Sequence, residues 1–272
     1  MNFRRQTNDL GPDTQFMTEP NTLLGPDDPT PFRVHPASKP SPFILVSDHA
    51  GRAVPGRLGD LGVPMADWER HIAWDIGIHG VGEALQKILG ATLIEQVYSR
   101  LVIDCNRAPG HPTSMPFVSD CTDIVGNREA QAACRARREA EILHPYHDRI
   151  AEEIAARKDP VALIALHSFT PRMNGVDRPW HVGVLHHRDT RSAHIMLELL
   201  REEGDLCVGD NEPYVLTETS DYTVPHHAEA AGLPCLELEI RQDLIADTAG
   251  QNEWAERLAR LLPQYWERLH QK

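Results

Sequence analysis

The chain has 272 residues and a mass of 30.5 kDa, with 41 % hydrophobic and 25 % charged residues, which suits one sizeable globular domain or two small ones and excludes disordered, collagen-like and coiled-coil chains. Forty acidic against 27 basic residues give a formal charge of −13, which repels a phosphate backbone and speaks against nucleic acid as a partner. No apolar run approaches the ~18 residues of a membrane span, and the N-terminus lacks the apolar centre of a signal peptide, so the expectation is a cytoplasmic protein with no membrane partner.

Residues 1–42 are polar and hold eight of the 21 prolines, the pattern of a flexible or wrapping arm that cannot form a core of its own. From residue 43 short β-like runs alternate with helical ones. Phe43–Ser47 reads as a buried strand ending at Asp48-His49. Trp68–Leu89 reads as a helix, with Trp74, Ile78, Val81, Leu85, Ile88 and Leu89 in one stripe closed by Gly90. Strands are predicted at Thr92–Val97 and Leu101–Asp104, and a helix over Arg128–Lys158 that Pro145 kinks or restarts. Val161–Leu166 is a central strand running into His167-Ser168, and His181–Leu185 another. Ser192–Glu203 is helical up to Gly204, and His226–Ala231 forms a short helix. Cys235–Ile240 is a strand, and the last helix carries Trp254, Leu258, Leu261, Leu262, Tyr265 and Leu269 in register. Alternating strands and helices imply a single α/β domain over 43–272 with a largely parallel sheet covered on both faces. In such sheets the site lies beyond the carboxyl ends of the strands.

Three predicted strands end in reactive groups: Asp48-His49, His167-Ser168, and Glu239 with Arg241. Two imidazoles and one carboxylate with an open fourth position make a catalytic zinc site. His49 and His167 supply the imidazoles, although a histidine after a strand is more often a structural hydrogen-bonder. Asp75 is the favoured third ligand, with His71 and His79 on the same predicted helix face; Asp48 competes with it. In the last strand Leu236, Leu238 and Ile240 alternate with Glu237, Glu239 and Arg241. Glu239 at the end of a buried strand is either paired by Arg241 or serves as general base or acid. The segment Ser99–Arg107 sets Arg100 and Arg107 around Asp104 and Asn106, which suits either flanking ion pairs or a bidentate grip on an acidic substrate. Cys105 lacks an adjacent histidine and reads as a buried thiol rather than a nucleophile.

The remaining histidines, at 144 and 147, 186 and 187, and 226 and 227, read as surface or supporting groups. The five cysteines are scattered with no CxxC pair, which argues against a disulfide framework or a cysteine zinc cluster. No phosphate-binding glycine loop and no Gly-x-Ser-x-Gly elbow is present, which sets aside nucleotide-dependent and serine-hydrolase chemistry.

The strings SDHAGRAVP (47–55), HIAWDIG (71–77), YSRLVIDCNRAP (98–109), LHSFTP (166–171), RPWHVGVL (178–185), DNEPY (210–214) and LEIRQDLI (238–245) resemble, in order, the N-formylglutamate amidohydrolase family. The resemblance implies a three-layer α/β/α fold with a mixed, mostly parallel central sheet, phosphorylase/hydrolase-like and similar to the zinc-dependent exopeptidases. It further implies a metal on His49 and His167, with Glu239 as the catalytic glutamate and Arg100, Asn106 and Arg107 as the grip on the substrate carboxylate. With Asp75 as the third ligand the expectation is one zinc ion, and Arg241 joins the expected substrate-binding residues. The implied reaction is cleavage of the amide of an N-acyl amino acid, N-formyl-L-glutamate to formate and glutamate. Carboxypeptidases carry a glutamate three residues after the first histidine, where this chain has Arg52. That departure leaves the third ligand to Asp75 or Asp48 and admits a second reading, a degenerate relative that binds an amino-acid derivative without hydrolysing it.

Overall fold

The structure, a computed structural model, describes residues 22–271; the first half of the expected arm, residues 1–21, lies outside them. In chain order the elements are β1 (Phe32–His35), β2 (Phe43–Ser47), α1 (Ile78–Leu89), β3 (Thr92–Gln96), a small hairpin of β4 (Val118–Ser119) and β5 (Thr122–Asp123), α2 (Val125–Arg128), α3 (Ala132–Arg138), α4 (His144–Ala155), β6 (Ala162–Phe169), a second hairpin of β7 (Arg172–Met173) and β8 (Val176–Asp177), β9 (Val182–Leu185), α5 (Thr190–Glu202), β10 (Val208–Asp210), α6 (Thr223–His227), β11 (Cys235–Arg241) and α7 (Thr248–His270).

Seven strands form one sheet in the order β1-β3-β2-β6-β11-β9-β10. The pairs β3–β2, β2–β6, β6–β11 and β9–β10 are parallel, while β1–β3 and β11–β9 are antiparallel. The sheet is therefore mixed and mostly parallel, as expected. Residues alternate between its faces. Phe43, Leu45, Ile164, Leu166, Leu236, Leu238 and Ile240 pack with α1, α5 and α7. Ile44, Val46, Leu163, Ala165 and Cys235 pack on the other face with Tyr146 and Ile150 of α4 and Val224 of α6. This is the three-layer α/β/α arrangement. On that second face Leu163, Ala165 and His167 run along β6 beside Cys235, Glu237 and Glu239 of β11, with His167 and Glu239 at one register position. Apolar packing gives way to polar groups only at the carboxyl ends, where a crevice opens.

Several predicted elements are corrected. Residues 22–42 are not merely an arm: β1 pairs along the sheet edge, and His35 Nε2 sits 3.0 Å from the buried Glu95 carboxylate. The helix expected from Trp68 begins only at Ile78, because Gly77 takes a left-handed conformation (φ 83°) and the preceding backbone is used elsewhere. Asp75 N–H donates to His49 O (2.9 Å), and Ala73 O accepts from Arg100 N–H (3.2 Å). His71, Asp75 and His79 thus share no helical face; His79 Nδ1 meets Glu95 Oε1 at 2.8 Å instead. The strand expected at Leu101–Asp104 is irregular backbone. Pro145 follows a π-helical turn, Glu139–Leu143, that joins α3 to α4 and absorbs the donor that proline lacks. Among the described residues no helix is long and apolar enough to cross a membrane.

A Cβ at residue 77 would lie 2.1 Å from Ile245 O. Gly77→Ala is expected to lower stability in urea unfolding by at least the roughly 1–3 kcal/mol of a strained residue, with the collision added; an unchanged midpoint would contradict this packing.

Candidate metal centre and its cavity

Backbone hydrogen bonds lace together the segments that follow β2, precede α1 and follow β3. Ala53 N–H donates to Val97 O (3.1 Å), Ser99 N–H to Ala53 O (2.9 Å), and Ser99 Oγ to Ala73 O (2.7 Å). A Cβ at Gly51 would sit 1.9 Å from Val97 O, so only glycine permits this approach. The end of β6 joins the same knot, with Ser168 Oγ donating to Ile76 O at 2.9 Å. The result brings residues 49, 75 and 167 together.

The segment that carries Arg100, Asp104, Asn106 and Arg107 has no ladder of its own. Its carbonyls are taken by side chains from three successive helices. Asn127 Nδ2 of α2 donates to Leu101 O (2.8 Å), Arg138 Nη1 of α3 to Val102 O (3.0 Å), and His147 Nε2 of α4 to Cys105 O (2.8 Å). A buried backbone acceptor must find a donor, and here side chains replace the predicted strand partner. His147 Nδ1 in turn accepts from His227 Nε2 at 2.9 Å. Both rings are buried, supporting groups rather than surface ones.

His49, Asp75 and His167 offer ligand atoms that all lie within 4.8 Å of one another. Asp75 Oδ2 is 3.0 Å from His167 Nδ1 and 3.5 Å from His49 Nδ1. The opposite nitrogens face two further carboxylates: His49 Nε2 donates to Asp104 Oδ1 (2.8 Å), and His167 Nε2 lies 3.2 Å from Asp48 Oδ2. Each imidazole thus presents Nδ1 inward while an outer carboxylate orients it, the arrangement found around metal-binding histidines. His49 Nδ1 is buried with no hydrogen-bond partner. Of the three buried carboxylates, two face the guanidinium of Arg100, which bonds Asp104 Oδ2 at 2.7 Å and approaches Asp75 Oδ1 at 3.4 Å. A buried ring nitrogen without a hydrogen-bond partner, set among these carboxylates, fits a divalent cation once the imidazole is neutral. Asp48, the rival ligand, stands behind His167 and accepts from Thr223 Oγ1 at 2.7 Å.

Burial acts to raise the carboxyl pKa values of this cluster, but the neighbouring imidazoles, and at Asp104 above all Arg100, outweigh it. Asp75 and Asp104 fall well below their usual range, and Asp48 falls to about 2. Glu239 goes the other way. Burial, aided by the Asp75 charge, pushes it up to about 7 against His167 and Arg100, and its Oε2 has no partner. Glu237 on the same strand face is raised well above its usual value, chiefly by burial. Sequence reasoning placed Glu237 beside Glu239 but gave it no part in the site.

A cavity of about 480 Å³ opens over these groups, lined by all three cluster residues, both glutamates, Arg100, Asn106 and Arg107. Arg241 is not brought there: its guanidinium bonds Asp243 and the carbonyls of Pro179 and Trp180. Asn106 is tied down, accepting from Tyr222 and Thr223 N–H and donating to Asp221 Oδ1 at 3.0 Å. Arg107 is held loosely, with Asn106 O at 3.4 Å and Asp221 Oδ1 at 3.9 Å. Cys105 lies behind the wall, its thiol pushed far up by burial, which leaves it no thiolate for attack. Arg52 turns outward, pairs with Glu69 and covers the Trp74 ring. Both Asp221 and Tyr214 line the cavity; Asp221 carries no sequence signal because its loop has no periodicity, whereas Tyr214 closes the string DNEPY, which assigns it no role.

The sequence profile of the N-formylglutamate amidohydrolase family matches residues 41–246. The chain belongs to the N-formylglutamate amidohydrolase family. Like the rest of this family it is an amidohydrolase. A solved gene product of Agrobacterium tumefaciens is 34 % identical and superposes with a TM-score of 0.88, covering 92 % of this chain and all (100 %) of the other. The N-formylglutamate amidohydrolase of Ralstonia eutropha shares the fold at 20 % identity and a TM-score of 0.65, covering 88 % of this chain and 99 % of that one. No curated protein matches the sequence.

Burial pushes His147 down to about 4 and His227 down to about 3; neighbouring imidazoles add to the effect, His226 and His144 at His147, and His147 and His226 at His227. Both lie below the unfolded value of ~6.5, so the unfolded chain binds more protons between about pH 4 and 6.5. The stability they confer is complete above that window and is lost as pH falls through it. Replacing His227 by Asn is expected to flatten the fall in unfolding free energy by up to about 1.4 kcal/mol per pH unit; an unchanged slope in urea titrations at pH 4.5–7 would contradict the assignment.

Proposed function

We propose that the enzyme is a metal-dependent hydrolase of the amide bond of N-acyl amino acids, with N-formyl-L-glutamate, cleaved to formate and glutamate, as the first substrate to test. The observation that carries the reading is that His49, Asp75 and His167 converge in one cavity with the raised carboxyl of Glu239 and the loosely tied Arg107. His49 Nδ1, His167 Nδ1 and the Asp75 carboxylate would hold one zinc ion. Bound there, zinc would supply Lewis acidity, worth up to roughly 12 kcal/mol at ~1.36 per unit for a shift of water's pKa from ~15.7 to about 7.

The chain's own residues do the rest. Asp104 and Asp48 keep the two imidazoles turned inward, and Arg100, engaged by Asp104 and Asp75, balances their charge rather than meeting the substrate. Arg107 is free to take the substrate carboxylate, and an anion approaching a chain of charge −13 needs such a local cation. With its carboxyl pushed up to about 7 by burial, Glu239 accepts a proton from the attacking water and passes it to the amide nitrogen as the C–N bond breaks.

His167→Ala is expected to lose bound metal and activity together, measured by elemental analysis alongside release of glutamate. Wild-type turnover in that variant would remove His167 from the centre. Glu239→Gln should keep its metal yet lose roughly 10²–10⁴ in kcat, the usual worth of a general acid–base; full turnover would dismiss the proton-transfer role. Chelation should abolish activity, and zinc should restore it.

A further inference from the structure

Across the sheet the crevice has two unlike ends. The segment carrying Arg107 follows β3, the histidines follow β2 and sit on β6, and Glu239 is on β11. Beyond Glu239 comes β9, whose last residue, Leu185, lines the cavity together with Phe169, Met173, Tyr214 and Val215. Leu185 and Phe169 are buried, whereas Tyr214 and Val215 are large apolar residues left 44 % and 59 % exposed on the rim. Exposed apolar surface of this kind, contiguous with a cavity, marks a contact site.

This wall is built rather than incidental. Arg178 Nη1 donates to Tyr214 Oη at 3.0 Å, and its guanidinium lies 4.8 Å from the Tyr214 ring centre and 5.9 Å from that of Phe169, fastening the two rings together. The loop that carries Tyr214 packs directly on β9: Asn211 N–H donates to Val184 O at 3.0 Å, and a Cβ at Gly183 would meet Glu212 O at 1.8 Å. An N-acyl amino acid carries its carboxylate on one side of the scissile amide and its acyl chain on the other. With the carboxylate on Arg107 and the amide at Glu239, the acyl chain points to the β9 wall. A formyl group, a single carbon, would leave that wall uncovered.

We propose that Phe169, Met173, Leu185, Tyr214 and Val215 form an acyl subsite for aliphatic chains longer than formyl, so that the preferred substrates are N-acyl amino acids of about butanoyl to hexanoyl length. This rests on the reading of the cavity as an N-acyl amino acid hydrolase, and the test separates the two. Glutamate N-acylated with formyl, acetyl, butanoyl and hexanoyl groups is assayed for kcat/KM with the zinc-loaded enzyme, and for Kd by calorimetry with Glu239→Gln. Both quantities should improve about fourfold per added methylene as far as butanoyl, and Val215→Asp and Met173→Ser should each reduce that gradient. A series that is flat or falls from formyl onward in both measurements overturns the subsite, even if N-formylglutamate is cleaved and the hydrolase reading stands. Affinity that rises with chain length while no compound is hydrolysed supports the subsite and removes the hydrolase reading instead.

Discussion

The molecule is organised around the Asp75 carboxylate, which approaches the inward nitrogens of two buried imidazoles at 3.0 and 3.5 Å while Arg100 reaches its other oxygen at 3.4 Å. Three carboxylates are buried within this one cluster, and burying charge is tolerated only where it is paired and hydrogen-bonded. Each partner comes from a different part of the chain: Asp48 and His49 after β2, Asp75 before α1, Asp104 after β3 and His167 on β6. No local run could satisfy the charges, so the electrostatic demand of the site and the topology of the sheet are one constraint.

That constraint explains why the backbone near the site departs from regular structure. Within the segment from Ser99 to Arg107, Arg100 and Asp104 bond each other at 2.7 Å, a contact that a strand, which sets residues four apart about 13 Å from one another, would not allow. The segment's carbonyls are instead pinned by Asn127, Arg138 and His147 from helices on the same face. Arg138 is a buried cation that bonds a carbonyl and an amide oxygen, a costly way to fix a loop that makes sense where the loop positions a site.

Much of this was legible in the residues. The apolar runs FILVS, VALIAL and CLELEI gave β2, β6 and β11 because buried parallel strands read as continuous or alternating apolar segments. His49, His167 and Glu239 followed from the rule that such strands present their functional groups at the carboxyl ends. The helix face that the sequence predicts around Asp75 does not form: Gly77 ends an irregular stretch, and the carboxylate is placed by backbone bonds from residues 73 and 75 to Arg100 and His49. Arg241 was misplaced because the last residue of β11 lies beyond the crevice, where Asp243 and two carbonyls capture it. The orienting parts of Asp48 and Asp104, and the buried His147–His227 pair, depend on contacts between residues 50 to 120 apart in sequence, which periodicity does not encode.

The most direct test of the account is a zinc-edge anomalous diffraction map of crystals grown with one equivalent of zinc. The account predicts a single strong peak per chain bonded to His49 Nδ1, His167 Nδ1 and a carboxylate oxygen of Asp75, with Asp48 and Asp104 on the outer nitrogens. A peak liganded by Asp48 in place of Asp75, or no peak among these residues at all, would contradict it.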